Sequence, residues 1–221
     1  MRWLITAGPT REPLDDVRYI SNRSSGRMGV ALAEAAAAAG HEVTLLLGPV
    51  MAPPGLRNAA EVVRFNTTAE LEALLAERFP ACDVLVMAAA VADYRLATPL
   101  RGKTPRGEKL RLTLEPTPDL VAGVAKTKRS DQTVVAFALE EAAILEERAA
   151  EKMRRKGVDA IVANPLATMD AERVAAVVLT KGGRRVEPPA TAGGGTDGPG
   201  QSKEAFARWL VGWVSGRNAT A

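Results

Sequence analysis

The sequence predicts an α/β fold of the doubly wound kind, a mostly parallel sheet with helices on both faces. Three observations predict it. Short apolar runs alternate with runs of helix formers along most of the chain. Two early apolar runs stop at a Gly-Pro pair, Gly8-Pro9 and Gly48-Pro49, the punctuation of buried strands. The chain has 221 residues, 47% of them apolar and 25% charged, which is material for a sizeable core and excludes wholesale disorder. Length alone leaves one domain or two open. No boundary or internal repeat is visible, so residues 1–221 are read as a single domain.

The elements follow in order. Trp3–Ala7 is a buried strand. Met28–Ala39 is rich in alanine and leucine and closes at Gly40, a helix with a glycine stop. Glu42–Leu47 is the next strand, and a right-handed parallel crossover is the default for such a strand–helix–strand unit. Val62–Phe65 is a third strand. Thr68 is placed as the cap of a helix reaching Phe79, with Glu70 and Glu72 in its first turn. Asp83–Ala89 and Val134–Ala138 are further strands. A helix from Ala142 to Lys156 ends at Gly157 and leads to a strand at Ala160–Ala163. Val174–Leu179 and Arg184–Val186 read as a C-terminal β-hairpin appendage around Gly182-Gly183. Residues 188–200 are rich in Gly, Pro and Thr and read as a flexible loop. The last helix, Ser202 to about Val214, spaces Phe206, Leu210, Trp213 and Val214 for docking on the core. The architecture is Rossmann-like.

Composition excludes several classes of function. The mean hydropathy is −0.04, and no apolar run approaches the roughly 20 residues of a membrane span. Met1–Thr6 is too short before Gly8-Pro9 for a signal peptide, so a cytoplasmic location is expected. One cysteine, Cys82, rules out an internal disulfide and a multi-cysteine zinc site, and one histidine, His41, rules out a His-pair metal site. Cys82 reads as a small buried hydrophobe and His41 as a surface residue. The net charge of +3 is too weak to suggest nucleic acid, and no membrane partner is expected.

In doubly wound sheets, ligands bind beyond the carboxyl ends of the strands. Two such segments are unusual here. After Gly8, the long polar stretch Pro9–Ser25 replaces a glycine fingerprint and ends in Arg18-Tyr19-Ile20-Ser21-Asn22-Arg23-Ser24-Ser25-Gly26 before the helix. Small hydroxyl residues and glycine at a helix start leave backbone N–H groups free for an anion, although Ser24 or Ser25 acting only as a cap explains them too. After the strand ending in Ala88-Ala89-Ala90, three alanines admit a flat ligand close to the backbone. A basic stretch follows with Arg95, Arg101, Lys103, Arg106 and Lys109, either a solvated loop or a phosphate-clamping flap over about residues 96–109. On the helix Ala142–Lys156, Arg148, Lys152 and Lys156 form one stripe, where like charges cost roughly 0.2–0.5 kcal/mol per pair. A polyanion would turn that cost into attraction. Cations, backbone donors and an amide without an obvious acid–base residue suit phosphoryl or nucleotidyl chemistry, in which positioning and charge stabilisation dominate.

These segments resemble the phosphopantothenate–cysteine ligase (phosphopantothenoylcysteine synthetase) family of bacterial type. The resemblance rests on Ile5–Asp15, Val17–Gly29 and Ala88–Arg95, with further matches at Thr117–Val121, Phe137–Glu140, Lys152, Lys156 and Val162–Asn164. It implies a ligase of coenzyme A biosynthesis that joins 4′-phosphopantothenate to L-cysteine. Bacterial members typically use CTP with Mg²⁺: the carboxylate attacks the α-phosphate, pyrophosphate leaves, and the cysteine amine displaces CMP from the acyl-cytidylate. Eukaryotic relatives prefer ATP. Carried over by position, the resemblance implies Asn22 and Lys103 as catalytic residues, the first handling the acyl-nucleotide as an amide able to donate to its activated carbonyl and to accept from the substrate, the second closing from the flap. It implies Ala89, Ala90, Asp93, Pro118, Asp119, Leu120, Phe137, Lys152 and Lys156 as nucleotide-binding, and Ser24, Ser25, Gly26 and Met28 on the substrate side. It assigns no metal ligands. It also implies a cytoplasmic homodimer, whose contact is placed on the hairpin Val174–Val186. Many bacterial members follow a flavin-dependent phosphopantothenoylcysteine decarboxylase. Met1 directly before the first strand leaves no room for it here, so the chain is expected to be either a stand-alone ligase, with the decarboxylase as a separate partner, or an excised half.

The chain departs from the family pattern in the flap, where Lys103-Thr104-Pro105-Arg106 keeps the first lysine but ends in arginine, and Arg and Lys are not equivalent on phosphate. Thr117 stands where asparagine often precedes the proline. Two other readings compete. An NAD(P)-dependent short-chain-type reductase shares the fold, but neither Tyr19 nor Tyr94 has a lysine four residues on. A catalytically silent nucleotide-binding homologue would be consistent with the altered flap.

Overall fold

A computed structural model describes residues 1–50, 61–107, 109–169, 171, 173–189 and 200–218. The strands in chain order are β1 (Arg2–Ala7), β2 (Arg11–Pro13), β3 (Tyr19–Ser21), β4 (Glu42–Leu47), β5 (Glu61–Arg64), β6 (Val84–Met87), β7 (Tyr94–Leu96), β8 (Leu114–Pro116), β9 (Thr133–Glu140), β10 (Ala160–Pro165), β11 (Arg173–Val174), β12 (Val177–Thr180), β13 (Arg185–Val186) and β14 (Gln201–Ser202). The helices are α1 (Arg27–Ala38), α2 (Thr68–Arg78), α3 (Leu120–Lys126), α4 (Leu145–Lys156) and α5 (Lys203–Asn218).

Eight strands make the main sheet, in the order β13-β12-β10-β9-β6-β1-β4-β5. β10, β9, β6, β1, β4 and β5 are mutually parallel. Counted among themselves they run 3-2-1-4-5-6, with the reversal between β1 and β6, where ligands of such sheets bind. β12 joins β10 antiparallel and β13 joins β12. The expected C-terminal hairpin is therefore present and continues the sheet at its edge. It begins at Val177, because Val174 instead pairs with Gln201 in the small β11–β14 ribbon ahead of α5.

Alternating strand residues divide the core. Trp3, Ile5 and Ala7 of β1, with Val43, Leu45, Val84, Val86 and Val162, face α1 and α5. Leu4, Leu46, Leu85, Met87, Val134 and Ile161 face α2, α3 and α4. Both faces are covered, so the parallel strands are apolar runs rather than alternating ones. Each fully buried aliphatic side chain contributes roughly 1.5–3 kcal/mol relative to exposure. α1 sits unusually close to β1: a Cβ on Gly29 would lie 2.4 Å from the Ala7 Cβ and 2.8 Å from the Thr6 carbonyl oxygen.

Local capping differs from the expectation in two places. Thr67, not Thr68, caps α2, its side chain accepting from the Glu70 amide, while the Glu70 carboxylate accepts from the Asn66 amide at 2.7 Å. Thr68 is fully buried and serves another purpose, described below. α1 starts at Gly26 in the left-handed conformation (φ 73°), with no side-chain cap, so Ser24 and Ser25 are not consumed by capping that helix. His41 is not simply a surface residue, since its ring stacks on Trp3 with centroids 5.4 Å apart and its Nε2 lies 2.9 Å from the Ser215 hydroxyl. Burial, aided by the chain's amino terminus, lowers its pKa. The flexible-loop expectation for residues 188–200 falls almost entirely outside the described residues. Among the described residues, no helix is long and apolar enough to cross a membrane.

Candidate active site at the switch point

Beyond the ends of β1 and β6 the two chains stay side by side. The Ala90 amide donates to the Gly8 carbonyl at 2.9 Å and the Thr10 amide to the Ala90 carbonyl at 3.2 Å, with Pro9 and Ala90 in parallel register. Side chains strengthen this seam from beneath. The Thr6 hydroxyl accepts from the Ala89 amide at 3.0 Å, and the Thr10 hydroxyl accepts from the Ala92 amide at 2.9 Å. Thr68 reaches the same place, with its hydroxyl 3.3 Å from that of Thr10. Its amide and hydroxyl also donate to Glu12 at 2.8 and 2.7 Å. Thr6, Thr10, Glu12 and Thr68 are all buried. A buried polar group left without a partner costs about 1–3 kcal/mol, so this network holds the alanine loop in one arrangement.

The long stretch after Gly8 contains the β2–β3 hairpin, which was not expected. The hairpin returns the chain to the cavity at Asn22. The Asn22 Nδ2 donates to the carbonyls of Ala90 and Val91 at 3.1 and 3.0 Å. Both amide protons are thus engaged, which orients the amide and leaves Oδ1 as its available polar atom. Donation from Asn22 to a substrate carbonyl would first require exchanging one of these bonds. From Asn22 the chain passes Ser24, whose hydroxyl accepts from the Gly26 amide at 3.3 Å, and enters α1. A Cβ on Gly26 would lie 3.1 Å from Val50 and 3.3 Å from the Gly8 amide, so the helix start is pressed against the β1 turn.

These segments form one wall of a cavity of about 640 Å³, and the far wall comes from the other half of the sheet. The expected residues Asn22, Ser24, Ser25, Gly26, Met28, Ala89, Ala90, Asp93, Phe137 and Lys152 all line it. Lys103, Pro118, Asp119, Leu120 and Lys156 are not on this lining. Leu120 is buried in the core. Asp119 caps α3, accepting from the Ala122 amide, and holds Lys156, whose Nζ lies 2.6 Å from each carboxylate oxygen. The cationic stripe on α4 is likewise supplied with internal partners. Lys152 pairs with Glu140, and Arg148 pairs with Glu151 at 3.2 Å.

Sequence reasoning assigned no site role to several lining residues, among them Asn164 and Lys203 on the far wall. Asn164 closes β10 and is 9% exposed, and its buried Oδ1 has no hydrogen-bond partner among the described residues. A polar residue directly after the apolar run Ala160–Ala163, at a strand's carboxyl end, was the available signal. Lys203 begins α5, far away in sequence, and nothing local marks it. Among the described residues, four cationic side chains, Arg23, Arg27, Lys152 and Lys203, line the cavity against one carboxylate, Asp93. No histidine or cysteine lines it. Cys82 is buried on the other face of the sheet, and burial, with the Asp83 charge beside it, pushes its thiol up to about 12. Among the described residues no cluster of three His, Cys, Asp or Glu could hold a metal by itself. The site can therefore attract and orient anions and exclude acid–base chemistry by histidine or thiolate.

A family model for the DNA/pantothenate metabolism flavoprotein C-terminal domain matches residues 1–213. The coenzyme A biosynthesis bifunctional protein CoaBC of Escherichia coli strain K12 is 45% identical over 166 residues, covering 73% of this chain and 40% of that protein. A cysteine/cysteine sulfinic acid decarboxylase from an unknown prokaryotic organism is 46% identical over 166 residues, covering 75% of this chain and 46% of that protein. The chain thus spans under half the length of these curated relatives. The crystal structure of the C-terminal domain of CoaBC matches with a TM-score of 0.79 at 31% identity, over 100% of this chain and 96% of that one.

Proposed function

The chain belongs to the DNA/pantothenate metabolism flavoprotein C-terminal domain family, and from that premise we propose that it is a phosphopantothenate–cysteine ligase. It joins 4′-phosphopantothenate to L-cysteine in coenzyme A biosynthesis, using CTP, in the cytoplasm. The observation that carries the reading is the cavity itself. Among the described residues, an immobilised amide, an open alanine seam and four cations meet at the switch point with one carboxylate.

In the first half-reaction a carboxylate oxygen of phosphopantothenate attacks the α-phosphorus of CTP. The bond to the bridging oxygen breaks and pyrophosphate leaves with its electron pair. In the second, the cysteine nitrogen attacks the acyl carbon, the bond from that carbon to the phosphate oxygen breaks, CMP leaves with the electron pair, and the nitrogen loses a proton to the departing phosphate or to water. Neither step demands a strong protein base, because the leaving groups are stable anions. Both demand charge neutralisation and alignment. Lys152 would give up Glu140 for the triphosphate, Lys203 would add charge from α5, and Lys156 and Lys103 would approach from outside the present lining. Phe137 would pack near the base and the Asn164 amide would meet polar atoms of the nucleotide. Pro118, Asp119 and Leu120 would border it through the start of α3. Asn22, through Oδ1, would accept from the amine as it attacks. Ser24, Ser25, Gly26 and Met28 would hold the phosphopantothenate side. Mg²⁺ bound with the triphosphate supplies neutralisation of the departing pyrophosphate, and Asp93 fits an ion that takes one or two carboxylates alongside phosphates and water.

A homodimer is part of this reading, with a different contact from the one expected. Val177 and Val178 of the C-terminal hairpin are buried. Exposed Val17, Tyr19, Tyr94, Leu112 and Leu114 lie on and beside the β2–β3 and β7–β8 hairpins, which supports placing the second copy there. A monomer-sized elution profile at micromolar concentration would count against it. The ligase reading is tested by pyrophosphate release with 4′-phosphopantothenate and Mg²⁺, comparing CTP with ATP, with and without cysteine. Cysteine-dependent turnover with CTP preferred supports it, and silence of folded protein with both nucleotides overturns it.

A further inference from the structure

The basic flap is fastened to the rest of the chain on both sides of Lys103, and the fastening is made by two aspartates of the turn between β2 and β3. On the side before Lys103, the Gly102 amide donates to Asp16 Oδ2 at 3.0 Å, and the Gly102 carbonyl accepts from the Asp16 amide at 3.2 Å. On the side after it, the Thr104 amide donates to Asp15 Oδ2 at 3.1 Å, and the Thr104 carbonyl accepts from Arg18 Nη2 at 2.6 Å. The Leu100 amide adds a bond to the Leu14 carbonyl at 2.9 Å.

The two carboxylates play different parts. Asp15 is buried, its side chain 1% exposed. Its Oδ1 closes the turn on the amides of Val17 and Arg18, and its Oδ2 takes the Arg18 guanidinium together with Thr104. Asp16 is exposed, and among the described residues its carboxylate serves only Gly102. From the same turn, β3 runs straight to Asn22, so the flap and the catalytic amide hang from one short hairpin.

We propose that Asp15 and Asp16 are positioning residues for the reaction, a latch that holds the Lys103 segment withdrawn from the cavity until nucleotide draws it in. The inference rests on the ligase reading above. Held this way, Lys103 is off the cavity lining, so closure of the flap must break the latch, and nucleotide binding carries that cost as a reduced apparent affinity.

The test uses the full chain with Asp16→Ala, a surface change that spares the core, and with Asp16→Asn, which keeps an oxygen acceptor for Gly102. In the absence of ligand, hydrogen exchange of the flap peptide around Gly102–Thr104 should speed up roughly tenfold in Asp16→Ala with the melting temperature unchanged. The KM for CTP should fall roughly two- to fivefold while kcat does not rise, and Asp16→Asn should return both readouts toward wild type. Unchanged exchange, or faster exchange with an unmoved or raised KM, overturns the latch. If the unmodified protein releases no pyrophosphate with CTP or ATP, it is the ligase reading that fails, and flap exchange still reports whether the aspartates hold the segment. Asp15→Asn is the stronger perturbation and, because that carboxylate is buried, serves only alongside the Asp16 variants.

Discussion

The seam under the cavity and the flap beside it are held by similar numbers of hydrogen bonds, yet they are built for opposite behaviour. At the seam, Thr6, Thr10, Glu12 and Thr68 are buried, and any shift of Ala89–Ala92 would strand the Ala89 and Ala92 amides and the Thr6 and Thr10 hydroxyls that accept from them away from water. In the flap, Arg101, Gly102, Lys103, Pro105, Arg106 and Gly107 are exposed, so water can replace the lost partner on the flap side at small net cost, while buried Asp15 keeps its bonds to Val17 and Arg18. Bond inventory alone does not distinguish a fixed element from a movable one. The distinction lies in whether solvent can substitute for the partner.

The strongest challenge to this contrast is at Asn22. Asn22→Ala removes the amide from the seam, and turnover should fall by roughly 10²–10³, the loss typical of a fixed polar group acting on a developing charge. Asn22→Asp should retain pyrophosphate release while damaging amide formation. Wild-type turnover in both would detach the amide from the chemistry. Next comes Gly29→Ala, in which the new methyl meets Ala7 and the Thr6 carbonyl. It should destabilise the fold by about 1–3 kcal/mol, read as a lowered denaturant midpoint with unchanged slope. An equal effect from Gly102→Ala beyond its left-handed backbone penalty is not expected, since its Cβ would meet nothing within 4 Å. Thr10→Val removes the acceptor for the Ala92 amide and should cost about 1–3 kcal/mol in the same assay.

Lys152→Ala should raise the nucleotide KM roughly tenfold with a smaller change in kcat, the signature of a charge-assisted contact made in the ground state as well. The smallest effect concerns pH. Burial opposes ionisation of Asp119, but Lys156, the Ala122 amide and Arg155 outweigh it and hold the carboxyl below its usual range. Its folded-state pKa is therefore depressed, and its stabilising contribution is complete above the ordinary value of 3.8 and fades as the pH falls through the folded value. Because the pair is partly exposed, the contribution should be under about 1 kcal/mol. Asp119→Asn should lag wild type in urea at pH 7, and the gap should close toward pH 3. A gap that widened in acid would reverse the assignment.

Most of the sheet was legible because its parallel strands are buried on both faces and read as unbroken apolar runs, as in Val84–Met87 and Ala160–Ala163. The β2–β3 and β7–β8 hairpins were not, since three-residue strands are shorter than any periodicity can register. α3, seven residues long, escaped for the same reason. In the site, the wall contributed by Asn22–Met28 and Ala89–Asp93 was accessible because each piece is a contiguous loop after a strand. Asn164 lay within a matching segment but drew no role, being a single polar residue at a strand end, and Lys203 reaches the cavity only through the docking of α5. Thr68 shows a subtler failure. A threonine next to a helix start invites a capping assignment, whereas the buried Glu12 that uses its hydroxyl lies far off in sequence.

The ion pairs Lys152–Glu140 and Lys156–Asp119 have a consequence for how nucleotide affinity responds to salt. The chain carries its own counter-ions, covalently tethered and therefore present at a local concentration that the buffer does not alter. A triphosphate arriving at these lysines displaces carboxylates rather than mobile anions. Fewer free ions are released than the number of cations suggests, and affinity should weaken with ionic strength less steeply than for a site of unpaired lysines.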